Sequence, residues 1–317
     1  MTVETRRTLT VVIPSYRRLD RLNDLAERYL DQGADEVVIV LDGPHPGWES
    51  ALPEREGVLV RELPENRGLA LARIAGLEAS SGEIVLAVDD DVEPGPGLVD
   101  RHRRFHTGGD TVLQGYMPVT VPRARGRDQA PTYLYARDYE TQVDGWRRGD
   151  SSTILNSLWG GNVSLPRDLY LRAEQVKPSE RLEYNEDLDL GIRLLRLDAT
   201  ASFDEQARSS HHHSRGLDAY LRECFARGGA VADLEKRWGE RPAQLTPTVT
   251  IPAGYNPVLG WVQRRIAARD SDGLVQSAVI AVYRLSGIMQ NWRLQDASAR
   301  LLRRALIMRG YRLARRA

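Results

Sequence analysis

The first third of the chain alternates short β-branched runs with amphipathic stretches, and this alternation constrains the fold most. Leu9 to Ile13, Glu36 to Leu41, Val58 to Leu63 and Glu83 to Val88 are apolar runs of strand length. Near-continuous hydrophobic strands suit a sheet covered on both faces. Residues 19–30 place Leu19, Leu22, Leu25, Ala26 and Tyr29 on one helical face, with Gly33 as the stop. A second helix is expected from about Gly68 to Ala79, closed by Ser80-Ser81-Gly82. Strands interleaved with helices predict an α/β fold whose parallel sheet is joined by crossover helices. Ligands of such sheets sit outside the carboxyl ends of the strands. That rule singles out Ser15, Asp42, Asn66 and the triplet Asp89-Asp90-Asp91.

The 317 residues allow one large α/β domain with appended helices, or two modest domains. With 41% hydrophobic and 28% charged residues the chain has the composition of a globular protein. Forty-four basic residues balance 44 acidic ones, so no global field draws nucleic acid, which is not an expected partner. The single cysteine, Cys224, excludes an intrachain disulfide and a cysteine-rich metal centre, and suits a reducing cytoplasm. Residues 1–8 lack the pattern of a secretory signal. The longest apolar stretch, Gly273 to Trp292, is interrupted by Gln276, Arg284 and Gln290 and reads as a soluble helix. Residues 123–150, rich in Arg, Gly, Asp and Tyr, read as irregular, with Tyr133, Tyr135, Tyr139 and Trp146 scattered through them. Helices are expected again over 186–197 and 217–234, and through most of the remainder.

Three consecutive carboxylates after a buried strand repel one another unless a cation or solvent compensates them. A solvated acidic turn and a divalent metal site both satisfy that condition. In an extended segment Asp89 and Asp91 would point the same way and Asp90 elsewhere. Hard oxygen ligands suit Mg²⁺ or Mn²⁺.

The triplet closes a series: Val-Val-Ile-Pro-Ser-Tyr-Arg-Arg (11–18), Val-Leu-Asp-Gly (40–43), Asn-Arg-Gly-Leu-Ala-Leu-Ala-Arg (66–73) and Asp-Asp-Asp (89–91). Further along stand Trp-Gly-Gly-Asn-Val-Ser (159–164), Asn-Glu-Asp-Leu-Asp-Leu-Gly-Ile-Arg-Leu (185–194) and His-His-His-Ser-Arg (211–215). In order and spacing, over roughly residues 8–230, the series resembles the family two glycosyltransferases of the GT-A fold, a Rossmann-like, mostly parallel nucleotide-binding sheet flanked by helices. The resemblance implies an inverting, metal-dependent enzyme that moves a sugar from a nucleotide-diphospho-sugar donor, UDP-linked by default, to an acceptor hydroxyl on a small molecule, glycan or lipid-linked carrier. It implies that Pro14, Ser15, Tyr16 and Arg18 line the nucleobase pocket and that Asp42 reads the base. A turn-former in Asp-Gly-Pro is the alternative reading of Asp42, and its position at the strand end favours the functional one. Asn66, Arg67 and Arg73 would lie by the nucleotide, although a surface salt bridge also suits Arg73.

By the same resemblance Asp89 and Asp90 belong to the donor site, and Asp91 binds the metal with His211 or His213. An exposed histidine turn is the plainer reading of that triplet. Asp187 is the expected base, with Glu186 as substitute; an acidic first turn stabilising a helix dipole is the alternative. Gly160 and Gly161 would allow close backbone approach, Asn162 would bond hydroxyls, and Trp159 would stack on the acceptor or fill core. A single base without a covalent nucleophile suits direct displacement with inversion. Processive members carry Gln-x-x-Arg-Trp; here Leu234-Glu235-Lys236-Arg237-Trp238 puts leucine in the glutamine's place, so single-sugar transfer is expected.

The expected division is residues 1–230 as catalytic domain (8–120 nucleotide-sugar half, 121–230 acceptor half) and 231–317 as helical extension. Seven arginines between Arg300 and Arg316 interleave with Leu301, Leu302, Leu306, Ile307 and Leu313. Such a helix either docks on the domain or lies on an anionic membrane as a peripheral contact. Two rivals remain open: a sugar-phosphate nucleotidyltransferase and a silent nucleotide-sugar-binding protein. Oligomeric state is not legible.

Overall fold

A computed structural model describes residues 6–52 and 54–316, so the stretch read above for a secretory signal lies partly outside the described residues. The chain divides into two compact units. The first comprises residues up to 119, 139–182 and 186–212; the second comprises 120–138, 183–185 and 213–317.

The first unit is built on strands β1 (Leu9–Ser15), β2 (Glu36–Leu41), β3 (Val58–Glu62), β4 (Ile84–Val88), β5 (Val92–Pro94), β6 (Thr111–Tyr116), β7 (Asn162–Pro166) and β8 (Thr200–His211). They form one sheet in the order β3-β2-β1-β4-β7-β6-β8-β5. The β3-β2-β1-β4 part is parallel, with Val12 in register with Val38 on one side and Ala87 on the other. Strand β7 runs antiparallel between β4 and β6. The strand order reverses at β1 and β4, so their carboxyl ends open a crevice.

Alternation along the strands sorts the core onto two faces. Val12, Val38, Val40, Val85 and Ala87 pack with Ala72 and Leu77 of helix α2 (Leu69–Ala79). Their neighbours Val11, Ile13, Val37, Ile39 and Leu86 pack with Leu22, Leu25, Ala26 and Tyr29 of α1 (Leu22–Asp31), and with Leu98 and Val99 of α3 (Leu98–Phe105). Each fully buried Leu, Ile or Val contributes about 1.5–3 kcal/mol. This is why the apolar strands and the amphipathic α1 were legible in the sequence.

The segment 123–150 departs from the irregular reading. Ala130–Arg148 forms one helix, α4. Tyr139, Val143 and Trp146 recur at helical spacing and are buried in the first unit's core. Pro131 falls in the helix's first turn, where a missing N–H costs nothing. Helices α5 (Arg167–Val176) and α6 (Glu186–Leu195) also belong to the first unit.

The second unit is helical: α7 (Leu217–Trp238), α8 (Pro257–Ala267), α9 (Leu274–Ile288) and α10 (Trp292–Ala314). Its core joins Tyr220, Cys224 and Val231 of α7 to Leu302, Ala305, Leu306 and Ile307 of α10. This packing places all of α7 in the second unit, so that unit resumes at residue 213 and not at 231. It also decides how the arginine-rich C-terminus is used. The apolar side of α10 is core, Arg309 is buried, and Arg303 and Arg312 pair with Asp138 and Asp270. The C-terminal helix therefore docks within its own unit, and the membrane reading of that helix is set aside.

Candidate active site

Strand β4 stops at Val88, and Asp89 opens a tight turn closed by the Val92 amide donating to the Asp89 carbonyl at 3.0 Å. The extended-segment expectation therefore fails: turned backbone does not alternate its side chains, and Asp90 and Asp91 converge on Arg18 while Asp89 turns to Arg73. Asp89 faces Arg73, accepting from its Nη2 at 2.9 Å. Asp90 accepts from Ser15 Oγ at 2.6 Å and from Arg18 Nη1 at 2.8 Å. Asp91 shares Arg18 at 3.2 Å and lies 3.2 Å from His211 Nε2.

The Asp91–His211 pair is a product of sheet register. Strand β5 begins immediately after the turn and pairs antiparallel with the end of β8, Val92 opposite His211. The His212 amide donates to the Asp91 carbonyl at 2.9 Å, tightening the junction. Burial pushes the Asp91 carboxyl up, but the His211 imidazole and the Arg18 guanidinium outweigh it and hold the group down at about 2. A carboxylate beside an imidazole is a donor set suited to a divalent transition-metal ion. His213, two residues on, is buried in the second unit and stacks on Tyr135 with ring centroids 4.1 Å apart.

Arg73 gathers the other carboxylates. It lies on α2 and is buried, not the surface residue its alternative reading allowed. Its Nη1 donates to Asp187 Oδ1 at 2.6 Å and to Glu186 Oε1 at 3.4 Å, while Nη2 holds Asp89. One guanidinium thus ties the end of β4 to the first turn of α6. Three carboxylates around one cation are over-charged. Burial and the adjacent Asp187 push Glu186 up to about 8, against the pull of Arg73. Burial likewise raises Asp89, with Arg73 opposing.

The glycine pair permits this convergence. A Cβ on Gly160 would strike both Asp187 Oδ1 and the Arg73 guanidinium, and one on Gly161 would lie 2.8 Å from Asp89 Oδ2. Any side chain at either position would wedge the cluster apart. Asn162 takes an interior role. It is fully buried and donates to the Ala207 carbonyl at 3.0 Å, so the acceptor-binding expectation for it gives way to one of holding the loop to β8. Its Oδ1 meets His102 Nε2 at 2.9 Å, and His102 Nδ1 lies 2.7 Å from Ser164 Oγ. His102 was missed in the sequence because a lone histidine in a helix carries no local signal. Burial holds its imidazole down at about 4, so it is neutral. Trp159 packs against the core beside Tyr139, ring centroids 4.9 Å apart.

At the end of β2, Asp42 accepts from the Arg67 amide at 2.6 Å, the Gly68 amide at 2.9 Å and Asn66 Nδ2 at 3.1 Å. It secures the loop that begins α2, which fits the turn-forming alternative and leaves its four lone-pair sites incompletely used. Tyr16 is half exposed after Pro14, with the Arg17 guanidinium 4.9 Å from its ring centroid.

Residues 10–165 match the model of Glycosyl transferase family 2. This domain belongs to glycosyl transferase family 2. The chain is 26% identical over 174 residues to a glucosyl-dolichyl phosphate glucuronosyltransferase of Haloferax volcanii, covering 51% of this chain and 54% of that protein. It is 28% identical over 99 residues to a dolichol-phosphate mannosyltransferase of Pyrococcus furiosus, covering 29% and 28%. The chain thus spans about half the length, or less, of these curated relatives. Among solved structures, a mannosyltransferase from Pyrobaculum calidifontis, determined with GDP-Man and Mn2+, superposes with a TM-score of 0.60 at 16% identity, over 96% of this chain and 88% of that one. That likeness shows the fold, GT-A, as the resemblance implied.

Proposed function

We propose that this chain is an inverting, non-processive glycosyltransferase that uses a nucleotide-diphospho-sugar, and that its acceptor is a hydroxyl on a lipid-linked carrier. The observation that carries the reading is the Arg73 cluster, which brings Asp187 and Asp89 together at the crevice beside Gly160 and Gly161. Arg73 occupies Asp187 Oδ1; among the described residues no donor meets Oδ2, which is then the acceptor of the hydroxyl proton. Glu186, holding its own proton, keeps a second negative charge away from that oxygen. The names of the two curated relatives, both acting on dolichyl phosphates, support the choice of acceptor.

In this reading Ser15, Tyr16, Arg18, Asp42, Asn66 and Arg67 border the nucleoside, and Asp89 and Asp90 its ribose or sugar side. Asp91, His211 and His213 would hold a divalent cation, Mn²⁺ or Mg²⁺, whose chemistry is Lewis-acid stabilisation of charge on the departing diphosphate. Arg18 compensates Asp90 and Asp91 in the meantime, and releases them as the donor binds. No helix among the described residues is long and apolar enough to cross a membrane.

The test is nucleoside diphosphate release from a panel of UDP-, GDP- and dTDP-sugars with Mn²⁺ and a polyprenyl-phosphate sugar acceptor. Asp187→Asn is expected to lower kcat by roughly 10²–10⁴ while leaving donor affinity within a few-fold. Equal loss of donor binding would move Asp187 out of the base role.

A further inference from the structure

Helix α9 is apolar on its outer side as well as on the side that meets the core. Its buried residues are Gln276, Tyr283, Ser286 and Gly287, whereas Leu274 (90% exposed), Leu285, Ile288 (58%) and the following Met289 (70%) stand in water. The inner face packs Tyr283, Val275, Val279 and Ile280 on the unit's core, with polar contacts among them. Gln276 Oε1 accepts from the buried Arg309 at 2.7 Å, and Gly287 lets the Arg127 carbonyl approach where a Cβ would block it. The outer residues Leu274, Ala278, Val282, Leu285, Ile288 and Met289 form one stripe, roughly 120° wide at 100° per residue. Nine of the thirteen exposed large hydrophobics among the described residues fall between Val258 and Leu294, so the exposure is concentrated and not scattered.

The charge around the stripe selects its occupant. Arg264, Arg265, Arg269, Arg284 and Arg293 are exposed in this segment. Its acidic residues are Asp270 and Asp272, which face Arg312 and Arg309 of α10. Arg284 borders the stripe and has one distant partner, Asp218 at 3.7 Å. The segment therefore presents apolar surface with surplus positive charge. Self-association through this stripe would set one arginine fringe against another. Anionic headgroups complement both features at once. At 15 residues α9 is too short to span a bilayer, so it lies in the interface plane.

We propose that the α9 face of the second unit is a docking surface for an anionic lipid bilayer, with the Leu285–Ile288 stripe in the acyl boundary and Arg284 and Arg293 among the headgroups. This surface lies on α9, not on the arginine-rich α10 for which a membrane contact was one of two readings. It does not depend on glycosyl transfer.

The experiment is co-flotation of the full chain with vesicles of phosphatidylcholine alone and of phosphatidylcholine with phosphatidylglycerol. Circular dichroism checks folding, and light scattering gives the oligomeric state. Wild type is expected to float with anionic vesicles and much less with neutral ones. Leu285→Glu with Ile288→Glu should lower the partition coefficient roughly tenfold or more. Arg284→Gln with Arg293→Gln, which leaves the helix packing untouched, should lower it by roughly fivefold per arginine. Failure of wild type to float, or flotation unchanged in both variants, overturns the proposal. So does a dimer that the Leu285/Ile288 variant splits, which would assign the stripe to a second copy.

Discussion

Arg73 is the residue on which the site balances. Arg73→Met leaves Asp89, Glu186 and Asp187 facing one another without a cation, at a cost of about 3–5 kcal/mol in stability, measurable by denaturant unfolding. Glu186 gives the cluster a pH signature. Its folded value, about 8, lies above the ordinary 4.5, so folding favours the protonated carboxyl. That contribution is complete below 4.5 and is lost as pH rises through about 8. Wild type is expected to lose stability across this window, and Glu186→Gln to flatten the loss, in unfolding midpoints compared at about pH 5 and about pH 9. Gly160→Ala should abolish turnover in a folded protein, because its Cβ falls on Asp187 and Arg73. The carboxylates and glycines were legible because strand ends and short motifs carry them. The burial of Arg73 and the interior commitment of Asn162 were not. Both depend on which distant element closes over them, α6 for Arg73 and β8 for Asn162.

Elements with strong periodicity announced themselves, and those whose pattern is interrupted did not. Helix α4 has Tyr139, Val143 and Trp146 at core spacing, but Gly145 and a run of arginines and acids obscured it. The C-terminal arginines of α10 suited either a docked helix or a membrane contact, and its small residues show the packing. Gly228 on α7 abuts the Ile307 carbonyl, and Gly310 on α10 abuts the Phe225 carbonyl, so the helices cross backbone to backbone. Gly228→Ala and Gly310→Ala should each destabilise the second unit by about 1–3 kcal/mol through overpacking, seen as an earlier unfolding transition. Both changes add a methyl group where no flexible side chain can yield.

For the molecule as a whole, the two units divide the work. The first holds the crevice at the reversal of strand order, with Asp42, Asp89 and the Asp91–His211 pair at strand ends. The second is a helical assembly whose α9 carries an exposed apolar stripe besides its core-facing side. The crevice is expected to bind a nucleoside diphosphate through a metal at Asp91. Calorimetric titration with UDP and GDP, in Mn²⁺ and then in EDTA, on wild type and Asp91→Ala, tests it most directly. At least one nucleotide is expected to bind, with the binding abolished by EDTA and lost in Asp91→Ala. Binding of neither nucleotide to folded wild type, or metal-independent binding unchanged in Asp91→Ala, would contradict it.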